Sequence, residues 1–570
     1  MALERRLVTD FSLGQMSDRY AGRIDAQLRT RGAEEITGFV LGKDGGLRRR
    51  PGSIFVRDDL GIAPAADRLY NTSGIPAFTV YRDGVARWLA YIDNIGPSFE
   101  ARQLNGVGTK SIGDGALEPG KRLSHAAPFR DPGTTYDYLF CWTDGDAFYV
   151  DLDNNTVARS TDVDLATYYQ NRLIGILRST GVINMSEVLD PLDFTNDEET
   201  NAPLTATPDF AGVETPKWIK GRQSLYVGTD AAEYEIFSAE PYFTEELGGL
   251  IIRRITDIGA EQAEYFGPSM VMRSLSDIIL IQYTGQSFDY QTRSITEQID
   301  NSRLIWIATA EYGTHRYCYA LDVDGKLFAY LQAPGPQIAG WVVLAENVGW
   351  MSVYSKDLYV GIERGGAYSV EVFPIAEFDH PYERTEKQHA AFLANDAHGE
   401  RSGYITLGAA SFTGDTLPAS TTMDLYKIDL ANRHSTYVGQ VDTTAGGLLD
   451  ITLANLKTLV GWTTGEMELY VHEAGLYPAG TIKTLPLGGL IGAKARIARV
   501  ILQVKDSSGA RVRVNDGTWE EKVTAAPESG PWEFRVEHRY DEEPRIEIQT
   551  IGYRPLSVYQ VHVEIDVGGV

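Results

Sequence analysis

The residues of this chain that could do chemistry are few and widely separated. Its nine histidines form no His-Glu-X-X-His pair and its two cysteines no Cys-X-X-Cys pair. No Gly-X-Ser-X-Gly turn or phosphate-binding glycine loop is present either, so zinc, acyl-transfer and nucleotide chemistry lack sequence support. The run that starts at Asp151 begins like a calcium loop, but Thr156 stands where such a loop needs glycine. We therefore expect no enzyme activity, no metal and no cofactor.

A carbohydrate-cleaving protein is the alternative from another functional class. Glycosidases need two carboxyl groups about 5 to 9.5 Å apart across a sugar, and the chain's 78 Asp and Glu residues could supply them. The string closest to a sialidase Asp box, Asn515 to Trp519, has the wrong spacing and is typical of a hairpin turn. A receptor-binding or polysaccharide-degrading function therefore stays open as the second hypothesis.

The densest basic group is the triplet Arg48, Arg49 and Arg50, between a Gly-Gly pair and a Pro-Gly pair. Residues 1–60 hold 11 Lys and Arg against 9 Asp and Glu, and the rest of the chain holds 41 against 69. A weakly basic arm on an acidic body should dock against that body or a neighbouring copy. An ordinary solvated or ion-paired surface is the alternative interpretation of the triplet.

Composition favours an all-β protein of several domains. The chain has 570 residues, with 57 Gly and 31 Tyr, and its short apolar runs are broken by turns. Aromatic hairpins around Asp-Gly turns recur at residues 78–91, 142–150 and 320–330. Such repeats are typical of β-propeller blades, although an up-and-down barrel or a pair of sandwiches also fits.

We divide the sequence into four segments. Residues 1–60 form an N-terminal docking arm with a first strand, 61–380 a propeller-like domain, 381–480 a β-rich connecting domain and 481–570 a C-terminal β domain. The additional domains should be sandwiches or barrels. Alternating polarity predicts strands at residues 494–504, 535–539, 545–550 and 560–565. Cys141 and Cys318 lie in strand-like runs and should be buried thiols outside any disulfide.

Several segments, in order, resemble the nozzle (tail tubular) proteins at the end of short bacteriophage tails. That family begins with Gly-X-Ser, Arg-X-Asp and Gly-Gly-X-X-Arg-Arg-Pro-Gly, and later carries Tyr-Gln-X-Arg-Leu, Asp-Pro-X-X-Phe and Leu-X-Val-Gly-Thr. The resemblance covers most of residues 12–350. The matching segments are Gly14–Ser17, Arg23–Asp25, Gly45–Gly52, Tyr168–Gly175, Asn184–Ser186, Asp190–Phe194, Trp218–Lys220, Leu225–Asp230, Asp277–Ile281, Gly285–Phe288, Ile305–Ala308, Asp324–Leu327 and Gly340–Trp341.

The resemblance implies a virion tail protein, assembled in the host cytoplasm as a homo-oligomeric ring, a hexamer in the family. Its partners would be tail adaptor proteins, tail fibres or spikes, and the host surface at the tail tip. Phage DNA would pass through the lumen without tight binding, which suits a net charge of −26. Five residues are the expected docking group: Arg23, Asp25, Arg48, Arg49 and Arg50.

A glycine-rich apolar loop is the candidate gate of such a conduit. Its central residues are Leu487, Gly488, Gly489 and Leu490. Loops carry function when a rigid scaffold positions them. The alternative is an ordinary buried connection.

Overall fold

The fold is given by a computed structural model of the chain. The structure describes residues 3–8, 11–17, 31–42, 44–50, 54–57, 79–83, 86–92, 98–103, 109–113, 125–130, 137–142, 147–151, 154, 156–195, 203–222, 224–238, 250–274, 277–283, 290–297, 299, 304–333, 338–354, 357–364, 367–374, 402–414, 417, 419–429, 434–473, 480–487, 494–541, 543–551 and 556–567. No helix within these ranges is long and apolar enough to cross a membrane.

Two compact units make up the chain. The first unit comprises Met1–Val56, Phe328–Ala345 and Glu371–Val570, and the second comprises Arg57–Leu327 and Glu346–Val370. The chain therefore passes between the two units four times. The sequence placed segment boundaries near residues 60 and 380, and it did not anticipate that residues 328–345 belong with both ends of the chain.

The first strands of the chain are short. They are β1 (Leu3–Val8), β2 (Gly14–Gln15), β3 (Gly32–Thr37), β4 (Phe39–Leu41), β5 (Leu47–Arg49) and β6 (Ile54–Arg57).

Twenty strands then follow in sets of four. They are β7 (Thr79–Asp83), β8 (Ala86–Ile92), β9 (Ser98–Gln103), β10 (Thr109–Gly113), β11 (His125–Arg130), β12 (Asp137–Trp142), β13 (Ala147–Asp151), β14 (Thr156–Arg159), β15 (Leu165–Tyr169), β16 (Arg172–Ile176), β17 (Ile183–Met185), β18 (Leu204–Ala206), β19 (Pro216–Gly221), β20 (Leu225–Thr229), β21 (Glu233–Ser238), β22 (Leu250–Thr256), β23 (Gln262–Phe266), β24 (Ser269–Arg273), β25 (Ile278–Tyr283) and β26 (Tyr290–Ser294).

Longer strands and one helix complete the described chain. They are β27 (Leu304–Tyr312), β28 (His315–Asp322), β29 (Leu327–Gln332), β30 (Ala339–Ala345), β31 (Val348–Tyr354), β32 (Asp357–Arg364), β33 (Ala367–Pro374), β34 (Ser402–Leu407), β35 (Phe412–Gly414), β36 (Thr422–Asp429), β37 (His434–Asp442), α1 (Leu453–Val460), β38 (Met467–Glu473), β39 (Thr481–Thr484), β40 (Ala495–Val514), β41 (Glu520–Phe534), β42 (Ile546–Thr550) and β43 (Ser557–Val567).

The second unit is a β-propeller arrangement. Five sheets each consist of four consecutive antiparallel strands, β7–β10, β11–β14, β15–β18, β19–β22 and β23–β26. The first strands of neighbouring sheets touch: β7 meets β11, β15 meets β19, and β19 meets β23. Beyond them β23 meets β27, β27 meets β31, and β31 returns to β7. The five four-stranded sheets and these contacts between first strands confirm the predicted all-β fold with a propeller-like domain.

Two pairs of neighbouring strands in the second unit show the same packing of a tryptophan against a glycine. Trp218 on β19 pairs with Gly228 on β20, and Trp350 on β31 pairs with Gly361 on β32. A Cβ atom at either glycine would overlap the indole ring opposite. Both glycines end the same tetrapeptide, Leu-Tyr-Val-Gly, and both tryptophans follow a register shift in their strand. The absence of a side chain lets each indole lie flat against the neighbouring strand.

The first unit contains a large mixed sheet. Within this unit the strand order is β29-β30-β2-β3-β39-β42-β40-β43-β5-β4, with β1 added to β43 and β41 to β40. Strand β2 runs parallel to both β3 and β30, whereas β40 pairs antiparallel with β41, β42 and β43. Strands β3, β4 and β5, which belong to the segment that the charge balance suggested was a separate arm, therefore lie inside this sheet.

A five-stranded sheet, β35-β34-β38-β36-β37, packs against α1. The helix begins after Thr452, whose side chain accepts a hydrogen bond from the Asn455 amide, and ends at Gly461 with φ of 63°. Leu456 and Val460 are its buried residues. The sequence reading missed this helix.

Candidate functional site

A row of four tyrosines joins the fourth and fifth sheets of the propeller. Tyr265 on β23 meets Tyr226 on β20 edge-on, with 6.5 Å between ring centroids. The Tyr226 and Tyr290 side chains lie close enough for each to influence the pKa of the other. Tyr290 on β26 in turn packs against Tyr283 on β25 at 5.6 Å. The row runs from a partly buried end at Tyr265 to Tyr283, which is 52% exposed. We refer to these four residues as the tyrosine row.

An ion pair supports the middle of the tyrosine row. Tyr226, Glu235 and Arg253 occupy directly paired positions on β20, β21 and β22, so they share one face of the sheet. The Glu235 carboxylate accepts a hydrogen bond from the Tyr226 hydroxyl at 3.3 Å and is paired with the Arg253 guanidinium. That guanidinium also lies over the Tyr290 ring, 5.4 Å from its centroid. These contacts hold the Tyr226, Glu235 and Arg253 side chains in place and pair the two opposite charges.

The inner end of the row is fastened between sheets. Arg222 lies over the Tyr265 ring at 5.5 Å and donates a hydrogen bond to the Gly267 carbonyl at 2.9 Å. Lys220 Nζ forms an ion pair with Glu264 at 3.0 Å. All three contacts run from the fourth sheet to the fifth. They hold the two sheets in a fixed register.

The phenols of the row are donors and acceptors, not nucleophiles. Burial raises the pKa of Tyr226, Tyr265 and Tyr290 above the ordinary tyrosine value. The protonated phenol is a poor nucleophile, because covalent catalysis by tyrosine needs an activated oxygen. The arrangement can therefore offer aromatic faces and the Arg253 guanidinium to a ligand, while Glu235 is buried and holds that guanidinium in place.

The Tyr265 hydroxyl has an unusual environment. It is buried and has no hydrogen-bond partner among the described residues. A buried hydroxyl without a partner costs about 1–3 kcal/mol relative to a paired one. The deep end of the row therefore carries an energetic cost.

The loop after β17 forms a second compact cluster. Ser186 is fully buried; its hydroxyl accepts a hydrogen bond from the Leu173 amide and donates one to the Glu187 carbonyl. The Arg172 guanidinium donates to the Ser186 carbonyl at 2.7 Å, and burial lowers the pKa of Arg172 against the opposing effect of Glu187. Leu189, with φ of 69°, is 51% exposed. These contacts fasten the loop to the β15–β16 hairpin.

Three carboxylates of this loop lie close together. Ligand atoms of Glu187, Asp190 and Asp193 are all within 4.8 Å of one another. Asp190 and Asp193 also accept hydrogen bonds from the amides of Leu192 and Thr195. Carboxylate oxygens are the ligand type that Ca²⁺ prefers, but three residues fall short of the six to eight oxygen atoms that it takes. The run at Asp151, which begins like a calcium loop in the sequence, instead has its carboxylate bound to the amide and side chain of Asn154.

The three arginines predicted to dock lie in or beside β5, and they do not form an exposed stripe. Arg49 and Arg50 are only 8% and 7% exposed, and Arg50 lies over the Phe373 ring at 4.9 Å. Arg48 forms an ion pair with Asp44 at 2.8 Å. Burial acts to lower the pKa of Arg48, but the Asp44 carboxylate outweighs it and the pKa is raised overall. The expected exposure is therefore corrected for two of the three, while their docking role stays a prediction.

The other predicted site residues are placed only in part. Arg23, Asp25, Gly488, Gly489 and Leu490 lie outside the described residues. Leu487 is 8% exposed, and its amide donates a hydrogen bond to the Pro544 carbonyl at 2.9 Å.

Leu487 is thus held in place where the candidate gate loop begins. Two positions earlier in the chain, Leu485 packs against Met16.

Two segments of the family resemblance meet inside the first unit. Gly14, with φ of 66°, pairs with Trp341, and its amide faces Gly340 so closely that a Cβ on either glycine would overlap the other backbone. Both conditions require glycine. The tyrosine row, in contrast, carries no such sequence signal, because its members come from four strands.

Comparisons with known proteins give fold likeness alone. No family model and no curated protein matches the chain. Among solved structures, BBS1N in complex with ARL6DN matches with a TM-score of 0.37 and 10% identity, over 57% of this chain and 98% of that chain. The N-terminal domain of Nup159 gives 0.34 and 8%, over 60% and 100%. Hsv2 of Kluyveromyces lactis gives 0.29 and 12%, over 43% and 72%.

Proposed function

We propose that the chain is a structural subunit of a short bacteriophage tail, in the nozzle ring that forms the distal DNA-ejection conduit and gate. The observation that carries the proposal is the meeting of Gly14 with Gly340 and Trp341. These segments are far apart in the sequence and both belong to the resemblance. Each supplies the glycine that their close approach requires.

Other segments of the resemblance also have structural roles in the fold. Arg172 and Ser186 fasten one loop, and Trp218 with Gly228 packs one sheet. Sequence segments whose residues hold the backbone in place are typical of proteins that share a fold. This supports a structural protein over a catalyst whose chemistry would depend on surface groups.

The electrostatics suit a channel for DNA. A chain of net charge −26 has little means to displace counterions from phosphates, so it should not grip a duplex. Repulsion between the wall and DNA would act over about 8 Å at physiological salt. DNA would then slide past the protein, held by geometry and by loops that open on adsorption.

In this proposal the chain acts in the virion tail after assembly in the host cytoplasm. It forms a homo-oligomer, a hexamer by the family resemblance, and contacts tail adaptor proteins, fibres or spikes and the host surface. It is not an enzyme and needs no cofactor. The proposed docking positions are Arg23, Asp25, Arg48, Arg49 and Arg50. The proposed gate positions are Leu487, Gly488, Gly489 and Leu490.

Sedimentation of the purified protein tests the proposal. We expect a single assembly whose mass is a multiple of the 63.0 kDa chain, six copies for a hexamer. A closed ring has a fixed copy number, so the mass should not grow with concentration. A monomer at all concentrations, with or without purified adaptor protein, would contradict it.

A further inference from the structure

The open end of the tyrosine row has the composition of a ligand-binding surface. Tyr283 is 52% exposed and Ile251 is 44% exposed, and both lie beside residues that are held in place. Ile251 pairs with Phe237 on β21, two positions from Arg253 on the same face of β22. The Arg253 guanidinium stands 5.6 Å from the Phe237 ring centroid and 5.4 Å from that of Tyr290. The charged guanidinium of Arg253 thus lies close to two aromatic rings.

The surface is preorganised. The Tyr290 ring packs against Tyr283 and lies under the Arg253 guanidinium, which is paired with Glu235. A ligand would therefore meet side chains whose positions are already fixed, which removes part of the entropic cost of binding. Raised pKa values keep Tyr226 and Tyr290 protonated, so that their hydroxyls can donate as well as accept.

We propose that the surface formed by Tyr283, Tyr290, Phe237, Ile251 and Arg253 binds a glycan, a chain of neutral hexose units, without cleaving it. A pyranose ring has an apolar C–H face and a rim of hydroxyl groups. The face matches the exposed Tyr283 ring, and the hydroxyl rim matches the Arg253 guanidinium, whose side chain is 25% exposed. This inference does not depend on the tail-conduit proposal.

The lining argues against other ligand classes. An apolar peptide or lipid would remove the partly exposed Arg253 guanidinium from water without giving it a new polar partner, at a cost in free energy. A strongly anionic ligand would meet Arg253 already neutralised by Glu235. A catalytic role would need an activated nucleophile, and the phenols are protonated.

Saturation-transfer NMR tests the proposal on the full-length protein. The probes are cellohexaose, maltohexaose and mannohexaose, with polygalacturonate as the anionic comparison. We expect at least one neutral hexaose to receive saturation, strongest at the ring C–H protons that would face Tyr283. If no neutral hexaose is saturated at about 10 mM, a level well above a millimolar Kd, the proposal is wrong.

Substitutions then locate the binding. Tyr283→Ala should weaken binding about three- to tenfold, the range expected for one aromatic contact. Tyr283→Phe keeps the ring and should lose less than Tyr283→Ala. Tyr540→Ala, which removes a 38% exposed tyrosine of the first unit, is the matched control.

Equal binding by Tyr283→Ala and the wild-type protein would overturn the assignment. Saturation of polygalacturonate alone, abolished by salt, would also overturn it, because the surface would then be an anion site. The thermal unfolding of each variant shows that a loss of binding is not a loss of fold. Release of shorter sugars from any probe would contradict binding without cleavage.

Discussion

Trp218 and Gly228 occupy directly opposed positions on two neighbouring strands, and the indole fills the space that a side chain on the glycine would need. Trp218 Nε1 also donates a hydrogen bond to the Ala260 carbonyl at 3.1 Å, in the connection to the next sheet. One side chain therefore determines both the packing inside a sheet and the link between two sheets.

Gly228→Ala tests this relationship. The added methyl group overlaps the indole, so the ring or the strand must move, and overpacking of this kind costs about 1–3 kcal/mol. We expect a lower thermal unfolding midpoint. Gly446→Ala is the matched control, since its nearest neighbour would be 3.8 Å away and the midpoint should hardly change. Equal effects of the two substitutions would contradict the role of the indole.

Tyr226→Phe and Tyr265→Phe should have opposite outcomes. The Tyr226 hydroxyl donates to the Glu235 carboxylate, and losing a hydrogen bond to a charged group costs about 1.5–3 kcal/mol. The Tyr265 hydroxyl is buried without a described partner, so its removal should leave stability unchanged or higher. Urea denaturation of both variants measures the difference. A larger loss for Tyr265→Phe would mean that this hydroxyl has a partner after all.

Alkaline titration should show tyrosines that ionise late. Burial raises the pKa of Tyr149 to about 12, although a hydrogen bond with Ser160 acts to lower it. The folded state then holds its proton more tightly than the unfolded state, whose tyrosine pKa is about 10. This contribution to stability is complete below pH about 10 and is lost as pH rises towards 12.

Phenolate absorbance and unfolding, followed together across this range, test the expectation. Tyr149→Phe should remove one late-ionising group and reduce the loss of stability with pH. A titration in which every tyrosine ionises near the ordinary value while the protein stays folded would contradict it.

Arg50→Glu should destabilise the first unit. The sequence alone suggested that charge reversal at Arg48, Arg49 and Arg50 would block assembly without unfolding the chain. Because Arg49 and Arg50 are buried, a carboxylate at either position would instead be taken out of water next to apolar surface. We expect reduced yield or a lower unfolding midpoint for Arg50→Glu.

Arg48→Glu is the better test of docking. Arg48 is the member of the triplet paired with a surface carboxylate, Asp44. Its reversal should change assembly more than stability, since partly exposed ion pairs contribute little to folding.

For Arg50→Glu, an unfolding midpoint equal to that of the wild-type protein would contradict the expected loss of stability. It would argue that the side chain at position 50 can leave the core at no cost.

Local signals predicted much of the strand content. The Asp-Gly hairpin at residues 78–91 is present as β7 and β8, with Asp83 opposite Ala86. Cys141 and Cys318 are buried and outside any disulfide, as predicted. Residues 535–539 alternate in polarity but form no strand, because β41 ends at Phe534. The alternation in polarity therefore predicted which of these residues are buried, but it did not predict whether they form the hydrogen bonds of a strand.

The sites were harder to predict, for a physical reason. The tyrosine row depends on the register of separate strands, which brings Tyr226 and Tyr290 together although neither has a distinctive neighbour in the sequence. The helix after Thr452 was missed because its eight residues carry only two buried positions. Pairing between distant strands, and not local propensity, decides which side chains meet.

Imaging of the purified protein by cryo-electron microscopy tests the central claim most directly. A nozzle subunit should form a closed ring with six-fold symmetry and an axial hole wide enough for duplex DNA. The same particles should be absent from a preparation that is disrupted at the docking positions. Separate monomers, or three-fold spikes without an axial hole, would contradict the account.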